Sequence, residues 1–222
     1  MSTRRAAIFD VDGTLVDTNH LHVVTWWEAF RQGGHRVPMR DIHRAVGLGS
    51  DDLIEHLLGK DRDREDDEQL DAAHHALYAT YFDRLPALDA AGDLLRALAG
   101  RGWTIVLATS ASGPELAALR RAIDADGVIL GAASADDVAD GKPAPDPVQQ
   151  ARELADVPSE RAVFVGDTVW DMKAAVRDGV VPVAVLSGGI PRADLEAAGP
   201  HAVYGDPADL LERLDTSVFA DR

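Results

Sequence analysis

Several features that mark other classes of protein are absent from this sequence of 222 residues. It contains no cysteine, which excludes a disulfide framework, a thiolate metal site and a cysteine nucleophile. Its longest apolar run, residues 180–186, is far too short to span a bilayer. Only four apolar residues separate Arg5 from Asp10, so the N-terminal segment does not have the pattern of a signal peptide. From these absences we expect a cytoplasmic protein that does not insert into a membrane.

Positive charge is also scarce. The chain has 22 basic and 38 acidic side chains, which gives a net charge of −16. Such a surface repels nucleic acid phosphates and anionic lipid headgroups, so we expect neither as a partner. An anionic substrate would need a bound cation or a few aimed donors to reverse this field locally. The apolar content of 46% and the charged content of 27% are those of a folded chain rather than a disordered one.

Short apolar runs alternate with amphipathic stretches through most of the chain. The predicted strands are residues 6–9, 103–108, 127–130, 162–165, 182–185 and 201–204. The predicted helices that accompany them are residues 89–99, 114–123, 147–154, 171–177, 192–198 and 207–214. Strands that alternate with helices predict an α/β fold, with a Rossmann-like parallel sheet as its core and helices on both faces.

Residues 17–86 have a different pattern, in which no segment reads convincingly as a strand. Helical periods cover residues 17–32, 40–58 and 65–84. We therefore predict a small α-helical cap domain at 17–86, inserted into a core domain formed by residues 1–16 and 87–222. An insert directly after the first strand lies at the carboxyl end of the sheet, where open α/β folds hold their ligands. This position predicts a lid.

Two carboxylates follow the first predicted strand. Asp10 and Asp12 are two residues apart, a spacing that directs both side chains to one side, and Gly13 allows a sharp turn after them. Neighbouring carboxylates repel each other, so they persist best where a cation lies between them or one of them holds a proton. A plain turn is the simpler interpretation of this segment. The site interpretation gains weight because three further segments carry complementary groups.

The first two of these segments contain hydroxyl groups and a lysine. Thr109 and Ser110 directly follow the predicted strand at 103–108, where a hydroxyl can donate to an anionic oxygen or cap the next helix. Lys142 lies between Gly141 and Pro143 and is one of only three lysines in the chain, so solubility alone explains it poorly. As a point charge it suits a phosphoryl group, with a plain loop lysine as the alternative.

The third is a second pair of carboxylates. Asp167 and Asp171 follow the predicted strand at 162–165 and, being four residues apart, would share one helix face. Carboxylates without histidine or cysteine partners select Mg²⁺ rather than a transition metal. Alternatively, Asp167 caps the helix and Asp171 pairs with a neighbour. Each alternative is reasonable by itself, but four such groups at the ends of parallel strands favour a single site.

In order and position these four groups resemble the motifs of the haloacid dehalogenase-like superfamily of phosphohydrolases. Within it the chain is most similar to the subgroup with a helical cap after the first strand, which includes phosphoglycolate phosphatases and β-phosphoglucomutases. The resemblance covers nearly the whole chain. It implies a Mg²⁺-dependent phosphatase that hydrolyses a small phosphomonoester, phosphoglycolate-like or sugar-phosphate-like, through an aspartyl-phosphate intermediate. It also implies a small phosphorylated metabolite as partner and a monomer or homodimer.

The resemblance implies a catalytic role for three of the residues singled out above. Asp10 would be the nucleophile and Asp12 the general acid/base, with Lys142 completing the catalytic set. The phosphoryl group would be bound by Lys142 and by the hydroxyls of Thr109 and Ser110.

The same resemblance implies a set of metal ligands. Mg²⁺ would be bound by Asp10, by Asp167 and by the main-chain carbonyl of Asp12. Asp171 matches the second acid of the last motif, which orients the site rather than touching the metal.

Other members of the superfamily offer alternative functions. Dehalogenases and phosphonate-cleaving enzymes lack the second aspartate, so Asp12 argues against both. Phosphonate-cleaving enzymes also need a lysine in the cap, and Lys60, which lies in a charged run, is a poor match for it. A phosphosugar mutase of the β-phosphoglucomutase type is the runner-up, because residues 17–22 resemble the start of the mutase cap and place His22 at a cap histidine. Against it, residues 47–50 occupy the loop where the mutases carry an arginine. A non-catalytic binding protein of this fold would lack the nucleophile or the lysine, and this chain has both.

The cap is expected to select the substrate by closing over the leaving group and excluding water. The candidate contacts in it are His22, Trp26, Gly47 and Ser50. Core packing for Trp26 and a helix N-cap for Ser50 are equally good interpretations. A lid of this size leaves room for a small metabolite rather than a phosphoprotein.

Overall fold

Six short apolar segments of the chain pair as strands of one parallel sheet in the computed structural model. The structure describes residues 4–62, 64–111, 113–134 and 140–220. The strands are β1 (Arg5–Phe9), β2 (Trp103–Ala108), β3 (Ile129–Ala133), β4 (Ala162–Gly166), β5 (Val181–Val185) and β6 (Ala202–Tyr204). Their order across the sheet is β3-β2-β1-β4-β5-β6, so the direction of winding reverses between β1 and β4. The carboxyl ends of strands beside such a reversal form the crevice that binds ligands in open α/β folds.

Helices cover the sheet and fill the segment that follows β1. In chain order they are α1 (Asn19–Gln32), α2 (Met39–Ala45), α3 (Ser50–Leu58), α4 (Asp67–Ala79), α5 (Ala91–Gly100), α6 (Gly113–Ile123), α7 (Asp146–Leu154), α8 (Val169–Asp178), α9 (Arg192–Ala197) and α10 (Pro207–Glu212). None of the helices in the described part of the chain combines the length and the apolar composition needed to cross a bilayer.

Both faces of the sheet are covered, which confirms the predicted α/β, Rossmann-like fold. Alternate side chains of a strand point to opposite faces, and β1 divides accordingly. Ala7 and Phe9 join a core cluster with apolar residues of α5, α6 and α10, whereas Ala6 and Ile8 join a second cluster with residues of α7 and α8. A strand buried on both faces is uniformly apolar, which is why the sequence of β1 shows no alternation.

The segment between β1 and α5 contains four helices and a hydrophobic cluster of its own. Trp26, Phe30, Ile42 and Leu53 are buried in this cluster, which α1–α4 supply almost alone. The two chain segments that connect these helices to the sheet are hydrogen-bonded to each other, Asp17 N to Pro86 O at 2.9 Å among them. The helices therefore leave and rejoin the rest of the chain at one place beside the carboxyl end of β1.

Three predicted elements differ from the structure by more than one or two residues at their ends or in continuity. The strand predicted at 127–130 is wrong in position, because residues 126–128 form a 3-10 turn and pairing with β2 begins at Ile129. The helix predicted at 40–58 is two helices, interrupted where Gly47 adopts a φ of +99° that favours glycine. The helix predicted at 65–84 ends at Ala79 and is followed by a 3-10 turn at 82–84.

Candidate active site

Buried charges of opposite sign meet at the carboxyl ends of β1 and β4. Asp10 directly follows β1, and its main-chain N–H continues the ladder by donating to Val165 O at 2.9 Å. Lys142 donates to Oδ1 of Asp10 and lies 2.8 Å from Oδ1 of Asp171, although its side chain is only 5% exposed. Three residues far apart in sequence therefore form one buried ion cluster.

The position of Asp171 corrects the expected geometry of the last motif. Helix α8 begins at Val169, so Asp167 lies in the turn before the helix and does not share a helix face with Asp171. Thr168 is the N-cap, and Asp171 accepts from its main-chain N–H at 3.0 Å and its hydroxyl at 2.6 Å in a capping box. This leaves the other carboxylate oxygen of Asp171 directed at Lys142.

Asp167 is held by donors that come from the segments on either side of it. Thr14 Oγ1 donates to its Oδ1 at 3.0 Å, and Asn19 Nδ2 donates to its Oδ2 at 2.8 Å and to Gly188 O at 3.2 Å. A Cβ at Gly188 would lie 1.6 Å from Oδ2 of Asp167, so only glycine fits there. The carboxylate is thus buried in a tight cradle that fixes its orientation.

The electrostatics of this cluster are those of crowded negative charge. Burial raises the pKa of Asp10 to about 7, with Asp171 and Asp12 adding to the rise and Lys142 opposing it. Burial, followed by repulsion from Asp10 and Asp171, also raises the pKa of Asp167 well above its usual value. For Lys142, burial works against the charged form, but the two carboxylates outweigh it and the pKa rises. A single ammonium therefore does not balance the carboxylates around it.

A divalent cation fits this arrangement. Asp10, Asp167 and Asp171 each offer one carboxylate oxygen, and these three atoms lie within 4.8 Å of one another. Hard oxygen donors of this kind suit Mg²⁺, and a second positive charge would relieve the repulsion that raises the pKa of Asp10 and Asp167. Asp12 contributes no side-chain oxygen to this group.

The side chain of Asp12 turns instead toward α1, the first helix of the segment formed by α1–α4, which we call the helical segment. Thr18 Oγ1 donates to its Oδ1 at 2.5 Å and His22 Nε2 donates to the same oxygen at 3.2 Å. Although burial opposes ionisation, His22 and Thr18 lower the pKa of Asp12, and Asp12 in turn raises the pKa of His22. The two groups form a pair in which the proton resides on the imidazole.

A second histidine extends this pair into the interior of the helical segment. His22 Nδ1 lies 3.4 Å from Nε2 of His74, whose Nδ1 lies 3.0 Å from Oγ1 of Thr25. Tyr78 stacks on His22 at 4.0 Å between ring centroids, and Trp26 stacks on His74 at 4.1 Å. Burial, then the neighbouring His22, lowers the pKa of His74 well below its usual value, which favours the neutral form of this imidazole.

These groups border a cavity of about 470 Å³ between the sheet and the helical segment. The lining residues are Asp10, Asp12, His22, Trp26, Val46, Gly47, Leu48, Gly49, Ser50, Asp51, Asp52, Leu53, Asp71, His74, His75, Thr109, Ser110, Glu115, Asp140, Gly141, Lys142 and Pro147. Asp167 and Asp171 lie behind this wall. A volume of this size holds a small organic molecule.

The two predicted hydroxyls take different positions. Thr109 is buried and its Oγ1 accepts from Ala111 N at 3.1 Å, which leaves its hydroxyl hydrogen free to point to an anion. Ser110 is exposed, on the rim of the same cavity. Both side chains therefore border the cavity, Thr109 at its floor.

The predicted contacts in the helical segment also border the cavity. Gly47 packs on the core, since a Cβ there would lie 3.0 Å from Oγ1 of Thr168. Ser50 is the first residue of α3 and Gly49 occupies the N-cap position, so the N-cap interpretation of Ser50 is wrong. Trp26 is both packed and at the cavity wall. Lys60 lies away from this wall, with 81% of its side chain exposed and Glu55 at 3.3 Å.

Three titratable residues at the cavity wall carry no sequence signal of their own. Glu115, in the first turn of α6, is buried, and its carboxylate comes within 4.8 Å of Asp12 and His22. His75 Nδ1 lies 3.6 Å from Glu115 and its Nε2 lies 3.2 Å from Asp71. Hydrogen bonding first to Asp71 and then to Glu115 raises the pKa of His75 to about 10. Polar residues on amphipathic helices look solvent-facing in a sequence, so nothing distinguished these three.

Comparison with known proteins gives a consistent result. A family model for haloacid dehalogenase-like hydrolases matches residues 4–179. The chain is similar to a phosphoglycolate phosphatase of Neisseria gonorrhoeae, with 30% identity over 196 residues that cover 83% of this chain and 80% of that protein.

Solved structures share the fold over almost the whole chain. A hydrolase from Pseudomonas syringae matches with a TM-score of 0.92 and 33% identity, covering 98% of this chain and 100% of that one. A β-phosphoglucomutase from Clostridium difficile matches with a TM-score of 0.83 and 16% identity, covering 96% of each chain. At that identity the likeness to the mutase concerns the fold alone.

Proposed function

The chain belongs to the haloacid dehalogenase-like hydrolase family, as a phosphatase, and from this premise we propose that it hydrolyses small phosphomonoesters through a phosphorylated Asp10. The observation that carries the proposal is the buried ion cluster of Asp10, Lys142 and Asp171, of which Asp10 and Lys142 line the cavity. A carboxylate that is buried, held by a lysine and placed beside a cavity is arranged for attack on an anion. We further propose that residues 17–86 act as the lid over this cavity.

The first step of the proposed reaction is made by Asp10. One of its carboxylate oxygens attacks phosphorus, while Lys142 fixes the carboxylate and attracts the phosphoryl oxygens. The hydroxyl of Thr109 donates to one of those oxygens, and Ser110 does so from the rim. Asp10, Asp167 and the main-chain carbonyl of Asp12 would hold Mg²⁺, which when bound neutralises the charge of the attacking and transferred groups.

The second function required is proton transfer to and from the substrate. An alkoxide leaving group needs a proton, and Nε2 of His22, which donates to Asp12, supplies it. Asp12 passes this proton to the leaving oxygen and then takes one from the water that hydrolyses the phosphorylated aspartate. Such acid/base assistance contributes roughly 10²–10⁴-fold in rate.

A phosphosugar mutase is the second candidate. The contact between His22 and Asp12 favours it, because His22 matches the cap histidine of that resemblance. No arginine lies among the described residues that line the cavity, which leaves a second phosphate without a partner. Isomerisation of a sugar monophosphate in the presence of a bisphosphate activator would support the mutase over the phosphatase.

The test of the proposed function is hydrolysis of an aryl phosphate with and without Mg²⁺. We expect Mg²⁺-dependent turnover, which excess chelator removes and added Mg²⁺ restores. Asp10→Asn, which keeps the shape and the acceptor oxygen for Lys142, should abolish turnover. Asp89→Asn, at an exposed aspartate that does not line the cavity, is the matched control and should be fully active. Full activity of Asp10→Asn, or of the wild type in chelator, would refute the mechanism.

A further inference from the structure

We propose that Glu115 determines specificity at the leaving-group end of the cavity. It selects phosphomonoesters whose leaving group carries hydroxyl or ammonium donors, and it rejects those with a carboxylate or second phosphate beside the ester. This inference rests on the proposed phosphatase function and narrows its substrate class. It separates the sugar-phosphate-like substrates from the phosphoglycolate-like ones.

The position of Glu115 is the first support. Its side chain belongs to the sheet portion of the chain, in the first turn of α6, and is 8% exposed. One oxygen of its carboxylate lies within 4.8 Å of a carboxylate oxygen of Asp12 and of a ring nitrogen of His22. Asp12 is the group proposed to protonate the leaving oxygen. Glu115 therefore lies beside the organic part of the leaving group, which is bonded to this oxygen.

The cations at the cavity wall are the second support, because each is already engaged by protein carboxylates. Lys142 contacts Asp10 and Asp171, and His22 contacts Asp12. Both ring nitrogens of His75 face acids, Asp71 at 3.2 Å and Glu115 at 3.6 Å. The protonated form of His75 is held by these two carboxylates, so its N–H groups are directed away from a substrate anion.

The remaining charge on the wall has the same sign as Glu115. Asp51, Asp52 and Asp140 also line the cavity, and no arginine does so among the described residues. Oδ2 of Asp52 would lie 3.8 Å from a Cβ on Gly141, next to Asp140, and burial, then repulsion from Glu55, Asp140 and Asp51, raises the pKa of Asp52. A leaving group with donors is stabilised by this wall, whereas a carboxylate is repelled by it.

The expected size of the discrimination follows from unpaired polar groups. A site that accepts hydrogen bonds from a substrate loses those bonds when an analogue has only acceptors. In well-ordered sites the resulting loss in kcat/KM reaches about 10⁴-fold. The cavity here is partly open to solvent at its rim, and we expect about 10–100-fold, because water screens part of the repulsion.

The experiment compares kcat/KM for four substrates with Mg²⁺ present. They are an aryl phosphate, phosphoethanolamine, glycerol 1-phosphate and phosphoglycolate. The leaving group of the aryl phosphate carries neither donors nor an acid, whereas the leaving groups of the other three carry an ammonium, hydroxyls and a carboxylate, in that order. For the wild type we expect phosphoglycolate to be the poorest alkyl substrate by about 10–100-fold. The order of phosphoethanolamine and glycerol 1-phosphate distinguishes an ammonium-bearing from a polyhydroxyl substrate.

The variant Glu115→Gln removes the charge and preserves the shape. We expect the ratio of kcat/KM for phosphoglycolate to that for phosphoethanolamine to rise at least about 10-fold. Glu153→Gln, at an exposed glutamate of α7, is the matched control and should leave the ratio unchanged. The ranking of the wild type tests the inference even if the variant folds poorly.

Two results would overturn the inference alone, and a third would overturn the phosphatase proposal with it. Aryl phosphate turnover with phosphoglycolate preferred over both other alkyl phosphates would overturn the role of Glu115 and leave the phosphatase proposal intact. An unchanged ratio in folded Glu115→Gln would do the same. Absence of turnover on all four substrates would overturn both proposals together.

Discussion

The two ends of the cavity differ in how their charged side chains are held in place. At the sheet end, Asp10, Lys142 and Asp171 are buried against one another, and strand ends and a helix cap set their positions. At the opposite end, Glu115 and His75 meet across the boundary between the sheet portion and the helical segment. The charges at the first end are positioned within the sheet portion alone, whereas those at the second end depend on how two separately packed parts of the chain come together.

This difference indicates a division of labour. The parallel sheet brings charges to one edge whatever the helices above them contain, because the register of the strands is fixed by their own pairing. The helical segment packs around its own apolar cluster and adds its polar side chains to the cavity from above. In the proposed reaction, bond-making belongs to the sheet end and selection of the leaving group to the other end.

The largest expected effect concerns the link between the two ends, the contact of His22 with Asp12. His22→Gln keeps a donor for Asp12 but removes the proton held on the imidazole. For alkyl phosphates we expect kcat to fall about 10–100-fold, and for an aryl phosphate by less than about 3-fold, because an aryl oxide leaves without a proton. Steady-state kinetics on both substrates measure the difference.

The control for this change is His201→Gln, at an exposed histidine on the far side of the sheet, which should alter neither rate. Equal losses on alkyl and aryl phosphates would mean that His22 acts by packing alone.

A smaller effect is expected on stability at the sheet end. The raised pKa of Asp10 means that its ionised form opposes folding; the penalty grows as pH rises from the unfolded value of 3.8 and is complete above about 7. In chelator at pH 8, Asp10→Asn should therefore unfold at a higher temperature than the wild type, by about 2–4 °C for about 1 kcal/mol. At pH 5 the gain should shrink.

The same thermal unfolding experiment with Mg²⁺ sharpens the result. Mg²⁺ should stabilise the wild type more than Asp10→Asn, because the variant lacks one carboxylate of the proposed ligand set. An Asp10→Asn protein that is less stable than the wild type in chelator would contradict the crowding of charge at this end.

The smallest effect concerns the ion pairs of His75 at the other end. Its folded-state pKa of about 10 lies above the unfolded value of 6.5, so its stabilising contribution is complete below about 6.5 and is lost as pH rises to about 10. The difference in unfolding temperature between the wild type and His75→Gln should be largest near pH 6 and absent above pH 10. A difference that is constant from pH 6 to 10 would mean that His75 contributes by packing rather than by charge.

The sheet was more predictable than the rest because its strands are short, apolar and buried on both faces. β3 was misplaced because its residues Gly131, Ala132 and Ala133 have little intrinsic preference for strands and are held there by pairing with β2. The break between α2 and α3 was missed because residues 47–49 turn inward to contact the core, which local propensity does not record. The roles assigned to the site residues, and the division at residues 17–86, stay predictions for the experiments above.

The amino-acid sequence by itself determined the order of strands and helices and the identity of the side chains that follow each strand end, because strand formation and turn chemistry depend on neighbours along the chain. Only the tertiary structure decided which carboxylate is paired, which is crowded and which faces the cavity. Lys142 reaches Asp10 across 132 residues, and Glu115 meets His75 across the boundary between two packed units. Burial and Coulomb energy depend on such distances in space, and no local pattern contains them.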